Sequence, residues 1–214
     1  MKMDGILGGV AVAVLFLCAG LAGEAIAQDS PTPGCSTALL VIDMQNAYVP
    51  ARGLLTVDGT NLVDCLVSVL ERARKANMPI VYIKQTESRF ANGNPLGDIV
   101  AAIAPHEGEP VIWKPTGNAF YQTDLEGILA TLGVHRVLIA GLATHGCVNE
   151  TVFGALGLHY ETWVIADAHG DASGPDLEAY YNANWPACGV HVVSSTEIDF
   201  SQFDCTGSAA PAGG

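Results

Sequence analysis

The sequence predicts a three-layer α/β fold, a doubly wound sheet of about six parallel strands with helices on both faces, and three observations lead there. Short runs rich in Val, Ile and Leu alternate with stretches of helical periodicity. Most of those runs are continuously apolar, as strands covered on both faces require. No internal repeat or linker divides the chain. Strands separated by helices pair in parallel through right-handed crossovers, and ligands in such sheets bind beyond the carboxyl ends of the strands.

The first strand is residues 37–43 (TALLVID), apolar up to a terminal aspartate. Residues 61–76 (NLVDCLVSVLERARKA) form an amphipathic helix: Leu62, Leu66, Val69 and Leu70 share one face, and Arg72, Arg74 and Lys75 gather at the C-terminal end, where cations suit the helix dipole. Residues 80–84 (IVYIK) and 110–114 (PVIWK) are the second and third strands. Between them, 85–109 is the longest irregular stretch and contains Asn92-Gly93-Asn94-Pro95, so it reads as a lid or a subunit contact. A helix over 123–132, a strand over 136–141 (RVLIAG), a helix over 147–158 and a strand over 161–167 (ETWVIAD) follow. A helix over 175–185 with proline in its first turn and a strand over 190–194 (VHVVS) complete the set.

Of 214 residues, 22 are acidic and 9 basic, for a formal charge of −13. With no Lys/Arg cluster, nothing can neutralise a phosphate backbone, which makes nucleic acid and anionic membrane surfaces poor candidate partners, while the acidity itself names no substrate. Residues 1–27 read as a signal peptide. Lys2 precedes an apolar stretch of about 17 residues, shorter than the roughly 20 of a spanning helix, and Ala25-Ile26-Ala27 is a small-x-small cleavage pattern. Cleavage after Ala27 gives a secreted or periplasmic protein with no membrane attachment. Residues 28–36 are then an N-terminal segment, 37–204 one folded domain, and 205–214 (CTGSAAPAGG) a flexible tail. Export leaves Cys35, Cys65, Cys147, Cys188 and Cys205, an odd number in an oxidising compartment, so two disulfides and one unpaired thiol are expected. The pairing among Cys35, Cys65, Cys188 and Cys205 stays open.

Three strands end in reactive groups: the first in Asp43, the third in Lys114, and the fourth in the turn Gly141-Leu142-Ala143-Thr144-His145-Gly146 that leads to Cys147. In the first turn of the next helix, Cys147 would meet unpaired N–H groups and a dipole that favour thiolate over a thiol of ordinary pKa about 8.5.

The stretches ALLVIDMQNAYV (38–49), VIWKPTGNAFYQTDLEGIL (111–129) and VLIAGLATHGCVNETVFGAL (137–156) resemble the isochorismatase-like cysteine hydrolases, the superfamily that includes nicotinamidases and N-carbamoyl amidohydrolases. Asp43 and Gln45 match its D-x-Q; Lys114 with Ala119-Phe120 and Thr123-Asp124-Leu125 matches the lysine ahead of A-F and T-D-L; Gly141, Thr144 and Cys147 match the G-x-x-T turn and its cysteine. The resemblance implies an Asp43–Lys114–Cys147 triad and a cis peptide between Leu142 and Ala143 that aims the N–H groups of Ala143 and Cys147 into an oxyanion hole. It implies thioester chemistry on a small amide or carbamoyl compound, and a homo-oligomer in which the 85–109 loop helps close a neighbour's pocket. The Asp-x-His of metal-binding nicotinamidases is replaced by KQTESR at 84–89, so neither metal nor other cofactor is expected. Asp167 and His169 form a D-x-H at the end of the fifth strand, where a turn-stabilising role is expected. His145 reads as solvent-facing, and the sequon Asn149-Glu150-Thr151 as fortuitous. Tyr48, Trp113, Asn118 and Phe120 are candidate substrate contacts; Trp163, Tyr180 and Trp185 read as packing. Two other readings stand beside the amidohydrolase: a vinyl ether hydrolase of the same fold, against which Cys147 counts, and a secreted binding protein whose thiol is structural.

Overall fold

In the computed structural model, which describes residues 36–49, 54, 56 and 61–203, the six apolar runs all become strands of one sheet. In chain order the elements are β1 (Thr37–Ile42), α1 (Leu62–Lys75), β2 (Ile80–Gln85), β3 (Val111–Lys114), α2 (Leu125–Thr131), β4 (Arg136–Leu142), α3 (Asn149–Gly157), β5 (Glu161–Gly170), α4 (Pro175–Asn184) and β6 (His191–Val193). Every pairing is parallel, in the order β3-β2-β1-β4-β5-β6. The chain runs outward from β1 to β3, then crosses back to lay β4 on the other flank of β1. That reversal opens a crevice beyond the carboxyl ends of β1 and β4.

Alternation along β1 divides two cores, because successive side chains leave a strand on opposite faces. Leu39 and Val41 join Leu138 and the α1 residues Leu62, Leu66, Val69 and Leu70 on one face. Leu40 and Ile42 join Ile139, Leu125, Leu129, Val152 and Trp185 on the other. Helix α1 starts where Asn61 accepts a hydrogen bond from the Val63 N–H at 3.0 Å. At its basic end the Arg72 guanidinium donates to the carbonyls of Ser195 and Ile198, so this cation also ties down the segment after β6.

Three expectations need correction. The 85–109 segment is more ordered than its composition suggests. It folds into three short 3-10 turns at Ser88–Gly93, Pro95–Gly97 and Ala101–Ile103, with Ile99 bridged to Gln45, because Ile99 and Ile103 are apolar enough to join the first core. β5 continues past Asp167 to Gly170, since a register shift beside β4 pairs Gly141 with His169 and Leu142 with Gly170. Helix α3 begins at Asn149, and Cys147 lies before it on a wide π-type turn, Thr144–Val148.

Gly141 explains why β4 can lie so close to β1. Its φ is +118°, and a Cβ there would stand 2.2 Å from the Ile42 carbonyl oxygen, so no side chain fits. Residues 1–27 and 205–214, with Cys35 and Cys205, lie outside the described residues, so the signal peptide, the tail and the disulfide pairing do too. No described helix is long and apolar enough to cross a membrane.

Candidate active site

Asp43 follows β1 in a left-handed conformation, φ +49°, which aspartate tolerates better than most residues, and its N–H bonds the Ile83 carbonyl at 2.8 Å. β3 brings Lys114 to the same edge with its side chain fully buried. The Lys114 ammonium meets four acceptors: Asp43 Oδ2 at 2.8 Å, Cys147 Sγ at 3.1 Å, Gln85 Oε1 at 2.5 Å and the Thr116 carbonyl at 3.0 Å. Three hydrogens shared among four partners hold the cation in place and leave it bridging carboxylate and sulfur. Asp43 Oδ1 is buried and has no hydrogen-bond partner, an open acceptor in the middle of this cluster.

Cys147 arrives from the far side of the crevice. The peptide between Leu142 and Ala143 is cis, and the Ala143 carbonyl then accepts from the N–H groups of Gly146 and Val148 at 3.1 and 3.2 Å. That turn sets Ala143 and Cys147 on the wall of a cavity of about 330 Å³. Leu142, Leu54 and Ala172 supply its apolar surface, and Asp43, Gln85, Glu87 and Tyr48 its polar surface. Cys147 is not in a disulfide.

The electrostatics revise the expected thiolate. Burial pushes the Cys147 thiol up to about 11, the Asp43 charge adds to that rise, and the Lys114 cation opposes it without prevailing. Burial also raises Asp43 from its ordinary 3.8, against the pull of Lys114. The carboxylate starts far lower, so it holds the negative charge and the sulfur holds the proton. The helix dipole fails to lower the thiol because Cys147 precedes α3 and faces a carboxylate.

Of the four predicted substrate contacts, only Tyr48 lines this cavity, where its hydroxyl donates to Glu87 Oε1. β3 is an edge strand, so alternation that buries Lys114 turns Trp113 outward, 45% exposed, with the Lys84 ammonium 4.2 Å from its ring centroid. Asn118 accepts from the Phe120 N–H at 2.9 Å and fills the space beside Gly154. Phe120 stacks on Tyr160 with centroids 5.5 Å apart, against the second core. The chain turns away from the crevice after Thr116, which explains the departures of Asn118 and Phe120.

Gln85, Glu87, Leu54 and Ala172 were not singled out by sequence. Gln85 had a usable signal, since it ends β2 at the same sheet edge. Gln45 orients the Gln85 backbone by accepting from its N–H at 2.7 Å. Asp167 and His169 do not converge: Asp167 accepts from the Ser195 N–H and hydroxyl, each at 2.6 Å, in a turn-holding role, while His169 is buried beside Thr144. His145 is 55% exposed at its side chain yet paired, with Nδ1 2.5 Å from Asp171 Oδ2. Asn149 of the sequon accepts from the Trp185 indole at 3.0 Å. Among the described residues, no three His, Cys, Asp or Glu side chains converge as a metal site would need.

Known proteins resemble this chain in sequence and in fold. A secreted isochorismatase effector of Verticillium dahliae is 31% identical over 146 residues, covering 66% of this chain and 76% of the relative. A maleamate amidohydrolase of Pseudomonas putida is 29% identical over 165 residues, covering 68% and 78%. The crystal structure of N-carbamoylsarcosine amidase from Thermoplasma acidophilum superposes with a TM-score of 0.65 at 27% identity, covering 77% of this chain and 99% of that one. The sequence matches the isochorismatase domain over residues 37–197, and with that match the chain belongs to the isochorismatase family.

Proposed function

We propose that this protein hydrolyses a small amide or carbamoyl C–N bond through a thioester on Cys147, with Asp43 as the proton carrier and Lys114 as the fixed cation. The observation that carries the reading is the ammonium lying 2.8 Å from the carboxylate and 3.1 Å from the sulfur at the wall of a cavity. Two relatives named for amide cleavage support it. The Cys147 thiol gives its proton to the open Oδ1 of Asp43, and sulfur attacks the substrate carbonyl carbon as the S–C bond forms. The N–H groups of Ala143 and Cys147 hold the oxyanion. As the C–N bond breaks, Asp43 returns its proton to the departing nitrogen, which an amide needs in order to leave. Asp43 then takes a proton from water, the resulting hydroxide attacks the thioester, the C–S bond breaks, and the sulfur recovers that proton as the acid departs. Throughout, one cation faces one negative charge, so the buried site never carries an uncompensated pair.

The direct test is ammonia release across a panel of simple amides, ureido acids and nicotinamide. At least one member should turn over, and no release from any of them would defeat the amidohydrolase assignment. A pH profile of kcat/KM should be flat-topped. It falls on the acid side as Asp43 is protonated, at a pH above the ordinary 3.8, and on the alkaline side as the thiol loses its proton near about 11. A mechanism that needed free thiolate from an unperturbed cysteine would instead rise more than about tenfold between about pH 7 and 8.5. Finally, the 1–27 segment and the secreted fungal relative support export. N-terminal sequencing of protein recovered outside the cytoplasm should begin at Gln28; an intact Met1 there would refute cleavage.

A further inference from the structure

The wide turn that presents Cys147 is gripped from behind by two polar connections that run in parallel across three elements. On the first, the Thr144 hydroxyl lies 2.9 Å from His169 Nδ1, and His169 Nε2 lies 2.9 Å from Asn182 Oδ1 on α4. Asn182 spends its amide hydrogens on the Ala166 carbonyl at 3.0 Å, which leaves Oδ1 to accept. His169 therefore carries its hydrogen on Nε2, and Nδ1 accepts from the Thr144 hydroxyl. Burial holds His169 down to about 4 despite the nearby Asp167 and Asp171, so the ring stays neutral and this polarity persists at neutral pH. On the second, Asp171 Oδ2 takes the His145 ring at 2.5 Å and the His145 N–H at 3.3 Å, while the Asp171 N–H donates to Glu178 Oε1 at 3.0 Å. The spacing makes the two rungs parallel: 178 and 182 are one helical turn apart on α4, 169 and 171 share one side of an extended chain, and 144 and 145 are consecutive.

We propose that this ladder, from α4 through the end of β5 to Thr144 and His145, is the positioning device that fixes the oxyanion-binding amides of Ala143 and Cys147, with Thr144 and His169 as positioning residues rather than catalytic ones. The inference rests on the thioester reading above and deepens it. The lengthening of β5 to Gly170 serves this purpose, because without the register shift that seats His169 beside Gly141 the buried rung could not reach Thr144. Glu178 and His169 are buried polar side chains in a packed interface, a costly placement unless their hydrogen bonds are made.

Two reagents separate positioning of the amides from general damage to the thiol. p-Nitrophenyl acetate acylates the sulfur: the S–C bond forms, the ester C–O bond breaks, p-nitrophenolate leaves, the thiol proton passes to Asp43, and a tetrahedral oxyanion forms on the way. Iodoacetamide alkylates the same sulfur: the S–C bond forms, the C–I bond breaks, iodide leaves, the thiol proton passes to Asp43, and no oxyanion forms. Thr144→Val removes the donor to His169 while keeping the side-chain shape. It should slow the acylation burst tenfold or more and change alkylation less than threefold, and Thr144→Ser should restore acylation to within threefold of the parent. Equal slowing of both reactions, or no slowing of either, would overturn the ladder as a positioning device. If Thr144→Val fails to fold by circular dichroism, Asn182→Ala at the far end and His145→Ala on the exposed rung carry the same test. Each should slow acylation at least threefold with alkylation unchanged, and an unchanged acylation rate in both would overturn the proposal. Cys147→Ala separates the two levels. A burst surviving in that variant would sink the thiol as nucleophile, whereas loss of the burst there with a normal rate in Thr144→Val would sink the ladder alone.

Discussion

Cys147→Ala is expected to reduce turnover of the true amide substrate by roughly 10⁴-fold or more, since removing one member of a nucleophilic unit costs nearly as much as removing all of it. The fold should survive. Lys114 keeps Asp43, Gln85 and the Thr116 carbonyl as partners when the sulfur is gone, so no buried charge is stranded. Cys147 itself is only partly buried, and the cavity beside it already exists, so the deleted sulfur leaves little new void. Steady-state ammonia release measures the loss, and circular dichroism with urea titration measures the fold. Turnover within tenfold of the parent, with the fold intact, would remove Cys147 from the mechanism.

Asp43→Asn should produce two effects of opposite sign. Turnover falls roughly 10³-fold or more, because an amide side chain can neither take the thiol proton nor return it to the leaving nitrogen. Alkylation of Cys147 by iodoacetamide near neutral pH should become faster. The parent thiol is raised by burial and by the Asp43 charge and lowered by Lys114. Neutralising residue 43 deletes a raising influence and frees the Lys114 cation to pair with sulfur, so the thiol pKa falls and the thiolate fraction grows. A variant that is both catalytically dead and more readily alkylated separates proton carriage from thiol activation. If alkylation slows instead, the Asp43 charge is not what holds the thiol protonated.

The three reactive positions were legible because each depends on strand ends, and strand ends depend on apolar runs that the sequence displays openly. Asp43 and Lys114 close such runs directly, and parallel pairing brings every carboxyl end to one edge. The protonation state was not legible. It depends on how deeply Cys147 sits and on its distance from a carboxylate a hundred residues away in the chain, neither of which local pattern encodes. The pocket contacts depart from the sequence pattern for a related reason. Trp113, Asn118 and Phe120 are near Lys114 in sequence, but β3 lies at the sheet edge and the chain after Thr116 turns back onto α3 and the second core. Glu87, Leu54 and Ala172 reach the cavity from loops, whose paths follow tertiary packing rather than periodicity. In sequence the apolar run of β5 ends at Asp167, because His169 and Gly170 interrupt it, although the register shift beside Gly141 keeps them paired in the strand.

The central place of β1 has a consequence for synthesis. Its six residues, TALLVI, are all buried and bond to β2 on one side and β4 on the other. As the chain emerges from the ribosome, β2 follows soon, but the opposite flank stays bare until Arg136 and the rest of β4 have been made. Until then the most water-averse strand of the protein exposes an unpaired rim, the kind of surface on which nascent chains stick to one another. Slow translation between β1 and β4 should therefore lower soluble yield, and a holdase that shelters that rim should raise it.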